Sequence, residues 1–459
     1  MRSPDVMSVQ RSSLRPLLAK EVRELLSGRA LWTMLLVLCP LVGYSFFQAV
    51  ALYGEASAAA RDQPQLATSL SPLDGIFVPT FGAFYVTVTL LFPFVAIRAL
   101  GREKETGALK LLVQMPYKIP TLVGAKLTAI SFAWLLCITP VATALLLWLS
   151  FGGHLNPLET SNLLLGHLLY GLLIGAIALF AAAISDNSAT AAIVTLAFTI
   201  GSWVLDFALA GQSGALGWIS RLSLTQALRA FEQGLLSAAL VLGVCVAIAG
   251  FATLAGIWLH PGTRLYKKLA RTILCVGLAG ILLAVATQPR MSSDVSEDKR
   301  NSFPAGDQRA LAGLSKPLII TVHLAPEDPR YVDLQRNVLS KLERTVPNVT
   351  IRLVTAGQSV IGSAGEESYG EIEYSYSGHS AKSRSTSHRE ALPLLYGLAG
   401  IPVPVPQTGE DYPGYPLVAD GWIALLWFFA ALPLLTAVAW WRWNRRAPRI
   451  PAQFVKNGG

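Results

Sequence analysis

Residue types that could carry out chemistry are scattered along this 459-residue sequence and do not form catalytic patterns. No two histidines have the i, i+4 spacing that places two metal ligands on one helix face. The sequence also lacks a G-x-S-x-G elbow for a nucleophilic serine and a G-x-x-x-x-G-K-[ST] loop to cradle phosphates. We therefore expect a non-catalytic chain that binds no metal or cofactor itself. The six histidines are His154, His167, His260, His323, His379 and His388.

One charged stretch interrupts the apolar part of the chain, at 97–120, with the sequence IRALGREKETGALKLLVQMPYKIP. Glu103 and Glu105 come before Lys110, an order that suits the dipole of a short helix. Gly107 would allow another backbone to approach closely. A short charged helix in a loop can transmit a push to the membrane spans only if its two ends are fixed to two of them. The alternative is a solvated loop beside the membrane with no specific role.

The elements around this stretch are predicted to be membrane spans. The chain is 53% hydrophobic and only 14% charged, which is too apolar for a single water-soluble core. A helix needs about 20 apolar residues to cross roughly 30 Å of hydrocarbon. Eight runs of this length occur, near 31–52, 77–97, 124–149, 162–184, 189–210, 237–259, 272–288 and 419–441.

The distribution of basic residues predicts the orientation of these spans. If residue 1 is cytoplasmic, the inner segments and Lys126 at the membrane edge hold 21 Lys and Arg, whereas the three short outer loops hold 3. Lys and Arg near the ends of spans are retained in the cytoplasm, so both termini are expected there. Segment 289–418 has 13 basic and 15 acidic residues and is nearly neutral. The basic excess therefore lies on the inner face, where anionic lipid and a cytoplasmic partner explain it better than nucleic acid.

The resulting organisation is a six-span unit with an outer domain attached through two further spans. We predict a cytoplasmic amphipathic lead helix at 1–30, the six-span unit at 31–260, a seventh span at 272–288, an outer α/β domain at 289–418, an eighth span at 419–441 and a cytoplasmic tail at 442–459.

The outer domain is predicted from its own pattern of elements. Residues 318–325 and 349–354 have the composition of strands, and an amphipathic helix at 328–346 lies between them. This order implies a parallel pair with a right-handed crossover. Alternation around Ser377-Gly378-His379 indicates a hairpin, and a Pro-rich linker returns the chain to the membrane.

Few ionisable residues fall within the predicted spans. Asp206, His167 and Asp420 each lie near an outer end, where we expect them to reach the membrane interface. Buried carboxylates are what a proton-coupled carrier needs, so their scarcity argues against that class of transporter.

The segment from Arg102 to Leu112, REKETGALKLL, resembles the E-[KR]-E-x-G-[TS]-L-x-x-L-L signature of ABC-2 type exporter permeases, with Ala108 in place of the usual Thr or Ser. The resemblance implies a coupling helix that docks on a separate ATPase, which would bind ATP and Mg. By this resemblance the coupling residues are Arg102, Glu103, Lys104, Glu105, Gly107 and Leu109.

Two finer resemblances follow. The topology of residues 11–260 is most similar to the gliding-motility and nitrous-oxide-accessory branch of these permeases. The segment from Asp294 to Phe303, DVSEDKRNSF, is similar to the opening of GldG-like auxiliary proteins, with one extra residue before Ser302. The outer domain would then be a shortened GldG-like module, because the Pro-rich linker replaces later strands.

These resemblances imply the membrane subunit of an ATP-binding cassette exporter in the bacterial inner membrane, with 289–418 in the periplasm. Its expected partners are a cytoplasmic ABC ATPase, a second copy of the permease or a related one, and an envelope protein. The alternative is a subunit that transports nothing and transmits force to an envelope partner through the outer domain.

Overall fold

The computed structural model describes residues 4–115, 117–208, 223–286, 291–325, 328–354, 369–405 and 412–446. Within these ranges, eight helices are long and apolar enough to cross a membrane. They are numbered here as spans one to eight: Arg29–Asp62, Leu73–Glu105, Ile119–Ser150, Pro157–Ile184, Ser188–Leu205, Ala238–Leu259, Leu265–Ala286 and Trp422–Arg445. The predicted polytopic helical fold is confirmed.

Three of the spans are assembled from shorter helical segments. Span two consists of a π turn at Leu73–Phe77 followed by helices Val78–Ala96 and Arg98–Glu105. Span three divides at Ile138, two residues before Pro140, into Ile119–Cys137 and Thr139–Ser150. A proline interrupts the helix there because it has no backbone N–H to donate. Span eight contains Trp422–Leu426, a π turn at Trp427–Ala431 and Leu432–Arg446.

Three further helices lie outside the spans of the membrane part. Helix α1, Pro4–Ser27, is the predicted lead helix, α2 is Ala108–Gln114, and α3, Leu224–Glu232, follows span five; a 3₁₀ turn, Pro64–Ser69, follows span one.

Helix α1 packs against the inner half of span three. Its Leu17 forms a small apolar core with Leu112 of α2 and with Leu122 and Ala125 of span three. The lead helix and the loop helix therefore rest on the same surface of the membrane part.

The outer domain is a four-stranded sheet covered by helices. Strands β3 to β6 are Leu318–Val322, Val349–Leu353, Ile372–Tyr376 and His379–Ser383, in the spatial order β4-β3-β5-β6. Strands β3 and β4 are parallel, and β5 is antiparallel to both β3 and β6. The helices are α4, Ala305–Ala312; α5, Pro329–Leu334, continued by Gln335–Leu339 and Ser340–Thr345; and α6, His388–Ala399.

This arrangement has its own hydrophobic core. Alternate residues of β3 and β5 point towards α5 and are fully enclosed. The hairpin between β5 and β6 turns at Ser377 and Gly378, both with positive φ, the backbone that a two-residue turn requires. The core residues shared by the sheet and α5 include Leu318, Ile320, Val322, Ile372, Tyr374, Leu334, Val338 and Leu342.

A second, two-stranded sheet joins the outer domain to the membrane part. Strand β1, Leu235–Ser237, lies directly before span six, and it pairs antiparallel with β2, Ser292–Asp294, at the start of the outer domain. Residues 412–417, at the end of the Pro-rich linker, lie against the outer end of span one, where the Leu417 amide donates to Ser57 Oγ over 3.0 Å and the Tyr53 hydroxyl donates to the Tyr415 carbonyl over 2.8 Å. The outer domain is therefore held on the membrane part at more than one point.

Candidate functional site

The signature segment forms a helix end, a turn and a new helix. Span two ends at Glu105, Gly107 takes a left-handed backbone with φ of 74°, and α2 begins at Ala108. The amides of Thr106 and Gly107 donate to the last carbonyls of span two, which closes the helix. The single coupling helix expected from the sequence is thus two helices joined at Gly107. This glycine serves the turn, since its backbone conformation is one that L side chains rarely adopt.

Glu103 points into the protein. Its Oε2 accepts a 2.6 Å hydrogen bond from Nζ of Lys126 in span three, and its Oε1 pairs with Lys20 of α1. Lys126 is completely enclosed and also donates to Glu21 of α1 over 3.0 Å and to the carbonyl of Ala99. We call Lys20, Glu21, Glu103 and Lys126 the charge cluster. It has equal numbers of acidic and basic groups and joins the lead helix to spans two and three.

Burial and pairing shift the pKa values of the two α1 members of the cluster in the same direction. Burial raises the pKa of Glu21 above its ordinary value, although the nearby Lys126 ammonium opposes this shift. Desolvation alone would lower the pKa of Lys20, but its hydrogen bond to Glu103 and the nearby acidic charges raise it overall. Lys20 is therefore held in its charged form by these carboxylates.

The carboxylates here could in principle bind a metal, because oxygens of Glu21, Glu24 and Glu103 lie within 4.8 Å of one another. However, the Lys20 ammonium forms ion pairs with all three, and Lys126 pairs with two of them. Positive charge is thus already supplied by the chain itself. The arrangement is that of a structural ion-pair network.

Lys104 caps the inner end of span four. Its Nζ donates to the carbonyls of Ala182, Ala183 and Ser185 over 2.9, 2.8 and 2.7 Å. The last carbonyls of a helix have no partner within the helix and carry partial negative charge, so an ammonium group stabilises them. Lys104 therefore fastens the end of span two to the end of span four.

Glu105 caps the start of span five. Its Oε1 accepts from the Ser188 amide over 3.2 Å and from Ser188 Oγ over 2.6 Å. A carboxylate at a helix N-terminus satisfies a free amide and interacts favourably with the helix dipole. Glu103, Lys104 and Glu105 therefore attach one turn of span two to spans three, four and five and to α1.

A different set of side chains points to the surrounding solution. Arg102 is exposed, Leu109 is half-buried against the main core, and Leu111 and Met115 of the α2 segment are 66% and 51% exposed. Leu111 and Met115 were not among the residues predicted from the signature. Their signal in the sequence is weak, because a leucine and a methionine in a mostly apolar chain do not stand out.

The outer ends of spans two and four are also held together, by Arg300 of the outer domain. Its guanidinium forms ion pairs with Asp74 at the start of span two and with Asp298, and one nitrogen lies 4.0 Å from Glu159 Oε1 at the start of span four. It also donates to Ser71 Oγ over 3.1 Å. Desolvation would lower the pKa of Arg300, but its hydrogen bond to Asp298 and the charge of Asp74 raise it overall. Asp74 and Glu105 lie at the two ends of span two. They are about 45 Å apart along the helix, at 1.5 Å per residue.

A second outer contact joins three parts of the chain. His154, between spans three and four, lies 2.9 Å from Glu297 of the outer domain and stacks on the Tyr415 ring at 3.7 Å. Tyr415 in turn donates its hydroxyl to Glu297, and this hydrogen bond raises its pKa to about 12. The outer domain and the linker therefore share one junction on the membrane part.

The expectation for His167 is wrong. This residue does not reach an interface: it is fully enclosed in span four, between Phe81 and Phe84 of span two, with Nε2 3.3 Å from Glu232 of α3. The hydrophobic run alone could not show that α3 folds back over this position. Asp420 is exposed as expected and accepts from the Trp422 amide. The side chain of Asp206 lies outside the described residues.

Comparison with known families agrees with this architecture. Residues 64–229 match the family model described as ABC-2 family transporter protein. The matched segment runs from the outer turn before span two, through the signature loop, to α3. No curated protein and no solved structure matches the chain. Together with the eight candidate spans, this match over 166 of the 459 residues supports an ABC-2 type permease domain in a multi-pass membrane protein.

Proposed function

We propose that this chain is the membrane subunit of an ATP-binding cassette exporter. A separate cytoplasmic ATPase, which binds ATP and Mg, docks on the loop at 98–120, and a second permease copy or a related permease completes the pathway. The chain resides in the bacterial inner membrane with both termini in the cytoplasm and 289–418 in the periplasm, as the distribution of Lys and Arg indicates. The outer domain is a GldG-like module by its opening sequence.

The attachment of one helical turn to its neighbours is the observation that carries this proposal. Glu103, Lys104 and Glu105 are bonded to span three, span four and span five respectively. A push on the loop therefore moves the ends of spans two to five together, because none can shift without breaking a charged contact. The signature residues therefore hold neighbouring spans together. The exposed side chains of α2 make the docking contact with the ATPase.

Leu111 and Met115 are suited to that docking contact. They lie on the surface of the α2 segment next to the exposed Lys110, so they present an apolar patch bordered by charge. An amphipathic patch of this kind fits a hydrophobic groove on a partner. In this proposal the ATPase supplies the groove, and ATP binding biases the two arrangements of the permease.

The test is co-purification with the ATPase and measurement of its activity. Leu111→Glu should release the ATPase or abolish its stimulation by the permease, while membrane insertion stays normal. Leu265→Glu, which changes an equally exposed leucine at the start of span seven, is the matched control and should retain both. Unchanged binding and stimulation in Leu111→Glu would contradict the docking role of α2.

A second function is favoured by the contacts of Arg300. These contacts tie the outer domain to spans two and four, the same spans whose inner ends Lys104 holds together. A movement at the loop would then reach the outer domain without any transported substrate, as in a subunit that acts mechanically on an envelope partner. ATP-dependent flux from reconstituted vesicles supports export; ATP-dependent binding of a partner to the outer domain without flux supports the mechanical role.

A further inference from the structure

A large groove lies between the outer domain and the membrane part, on the outer side. It has a volume of about 1010 Å³, and its wall includes Lys341 and Arg344 of α5, His388 of α6 and Phe303. Leu235, three residues before the start of span six, forms part of the same wall. The groove therefore opens near the start of span six.

The acidic groups on this wall are already engaged by their own segment. Asp294 accepts hydrogen bonds from Ser296, Asn301 and Ser302. Asp298 pairs with Arg300, and Glu297 with His154 and Tyr415. These carboxylates hold the turn at 292–302 in shape. They leave little acceptor capacity for the basic groups across the groove.

The basic groups on the opposite wall lie near Asp294, whose charge acts on both Lys341 and Arg344, but among the described residues neither forms an ion pair with it. Lys341 is only 8% exposed, its Nζ lies 5.7 Å from the centre of the Phe303 ring, and it has no hydrogen-bond acceptor among the described residues. Arg344 makes one hydrogen bond, to the carbonyl of Asn301 over 2.6 Å. The His388 ring lies 6.3 Å from the same Phe303 ring, so Lys341 and His388 both lie beside Phe303, and Arg344 lines the same groove.

This arrangement leaves the Lys341 ammonium at the groove wall without a protein acceptor among the described residues. Such a group is available for a charge-assisted hydrogen bond to an anion. Burial lowers the pKa of Lys341; the charge of Asp294 opposes this shift, and the neighbouring Arg344 charge adds to it. Burial also lowers the pKa of His388, and the Lys341 charge adds to this effect. An anion in the groove would supply acceptors and offset the mutual repulsion.

We propose that this groove binds a phosphate group of a ligand on the outer side of the membrane, held by Lys341, Arg344 and His388. Two basic groups that form no ion pair with a carboxylate, together with a histidine donor, suit a doubly charged oxyanion better than a single carboxylate. Arg344 offers the planar donor fork that matches phosphate oxygens. Phe303 and Leu235 add apolar side chains to the groove wall. The phosphate belongs either to a soluble phosphate ester or to a lipid headgroup.

The test uses the full chain in phosphatidylcholine nanodiscs, without any ATPase, so its result does not depend on the proposed function. Inorganic phosphate and glycerol phosphate are titrated calorimetrically at constant ionic strength, with chloride as the reference salt. A second set of nanodiscs contains phosphatidic acid, and there the thermal stability of the outer domain is measured. Calorimetric binding of glycerol phosphate indicates a soluble ligand, whereas stabilisation by phosphatidic acid without binding of glycerol phosphate indicates a lipid headgroup.

The variants distinguish a built site from general attraction of anions. Lys341→Met keeps the aliphatic stem, removes the charge, and should weaken phosphate binding at least about tenfold, the loss of one charge-assisted contact. Lys316→Met removes an exposed lysine of the same domain outside the groove wall and should bind like the wild type. Arg344→Gln is the second groove variant and should lose affinity in the same way. Equal binding by wild type and both groove variants, or no binding by the wild type in any arm, overturns the proposal.

Discussion

Glu103 in span two and Lys126 in span three form an ion pair with 2.6 Å between Oε2 and Nζ, and both side chains are enclosed by the protein. The pair connects the residue that opens the family signature to a lysine 23 positions later. Lys20 and Glu21 of the lead helix complete the same cluster. Glu103 of the signature therefore stabilises contacts within its own chain. These contacts fix the position at which the loop leaves the membrane.

Glu103→Gln should destabilise the protein strongly. The change leaves the enclosed Lys126 ammonium with one carboxylate in place of two, and breaking a buried pair costs about 3–5 kcal/mol. Unfolding of the purified chain in mixed micelles measures this. Glu105→Gln, two residues along, alters an exposed cap and should cost about 1 kcal/mol or less. Similar small losses for both variants would contradict the structural role of the buried pair.

Removing both partners should cost less than removing one. Glu103→Leu combined with Lys126→Met eliminates the uncompensated charge, so the double variant should recover part of the stability lost in Lys126→Met alone. The same unfolding measurement gives the coupling energy between the two sites. A double variant whose loss equals the sum of the single losses would show that the two residues do not interact.

Lys104→Met should loosen the junction between spans four and five. Three carbonyls at the end of span four lose their donor, which we expect to cost about 1–3 kcal/mol. Hydrogen exchange of the amides around Ser185 should become faster. Lys110→Met, in the same loop but with an exposed side chain, is the control and should leave that exchange unchanged. Unaltered exchange in Lys104→Met would rule out the capping role.

Arg300→Gln should release the outer domain from the permease while leaving the domain folded. The variant loses the ion pairs with Asp74 and Asp298. The hydrophobic core of the outer domain does not include the Arg300 side chain. Exchange of backbone amides should rise in 292–301 and stay slow in β3. Arg309→Gln changes an exposed arginine of α4 and should behave like the wild type. If Arg300→Gln instead unfolds β3, the domain depends on the permease for its fold.

The outer domain should lose stability as the pH falls below neutrality. Burial lowers the pKa of His388 from its ordinary value of 6.5, so the fold favours the neutral ring. The stabilisation is therefore complete above pH 6.5 and is lost as the pH falls through the lower, folded-state pKa. Thermal unfolding of wild type and His388→Gln between pH 7.5 and 5 should show a smaller decline in the variant. Parallel curves would count against this origin of the pH dependence.

The sequence predicted the spans and the local elements of the outer domain well. Lipid cannot form hydrogen bonds with backbone polar groups, so a long apolar run such as Pro157–Ile184 must form a helix in the membrane. The crossover from β3 to β4 and the hairpin at Gly378 were predicted because their signals lie within a few tens of residues. The pairing of β1 with β2 was not predicted, since three-residue strands nearly sixty positions apart leave no periodic pattern.

The site was predicted in location and only partly in its contacts. The signature marked the loop, but its partners Lys20 and Ser188 are brought to it by the packing of separate helices. The sequence places Lys126 at the membrane edge but does not predict its partners, because hydropathy cannot distinguish a surface lysine from one enclosed beside two carboxylates. A sequence pattern shows the spacing of residues along one helix. The charge cluster depends instead on contacts between three helices, α1 and spans two and three.

The central claim is that the loop at 98–120 faces the cytoplasm and carries the ATPase. A photo-crosslinking residue at Leu111 tests it in native membranes, with the same residue at Leu66, exposed on the turn after span one, as the outer-face control. Our account predicts that only the Leu111 position captures a protein, and that peptide sequencing of this protein reveals a phosphate-cradling ATPase loop. Capture of the ATPase from neither position, or reaction of Leu111 only with envelope proteins, would contradict it.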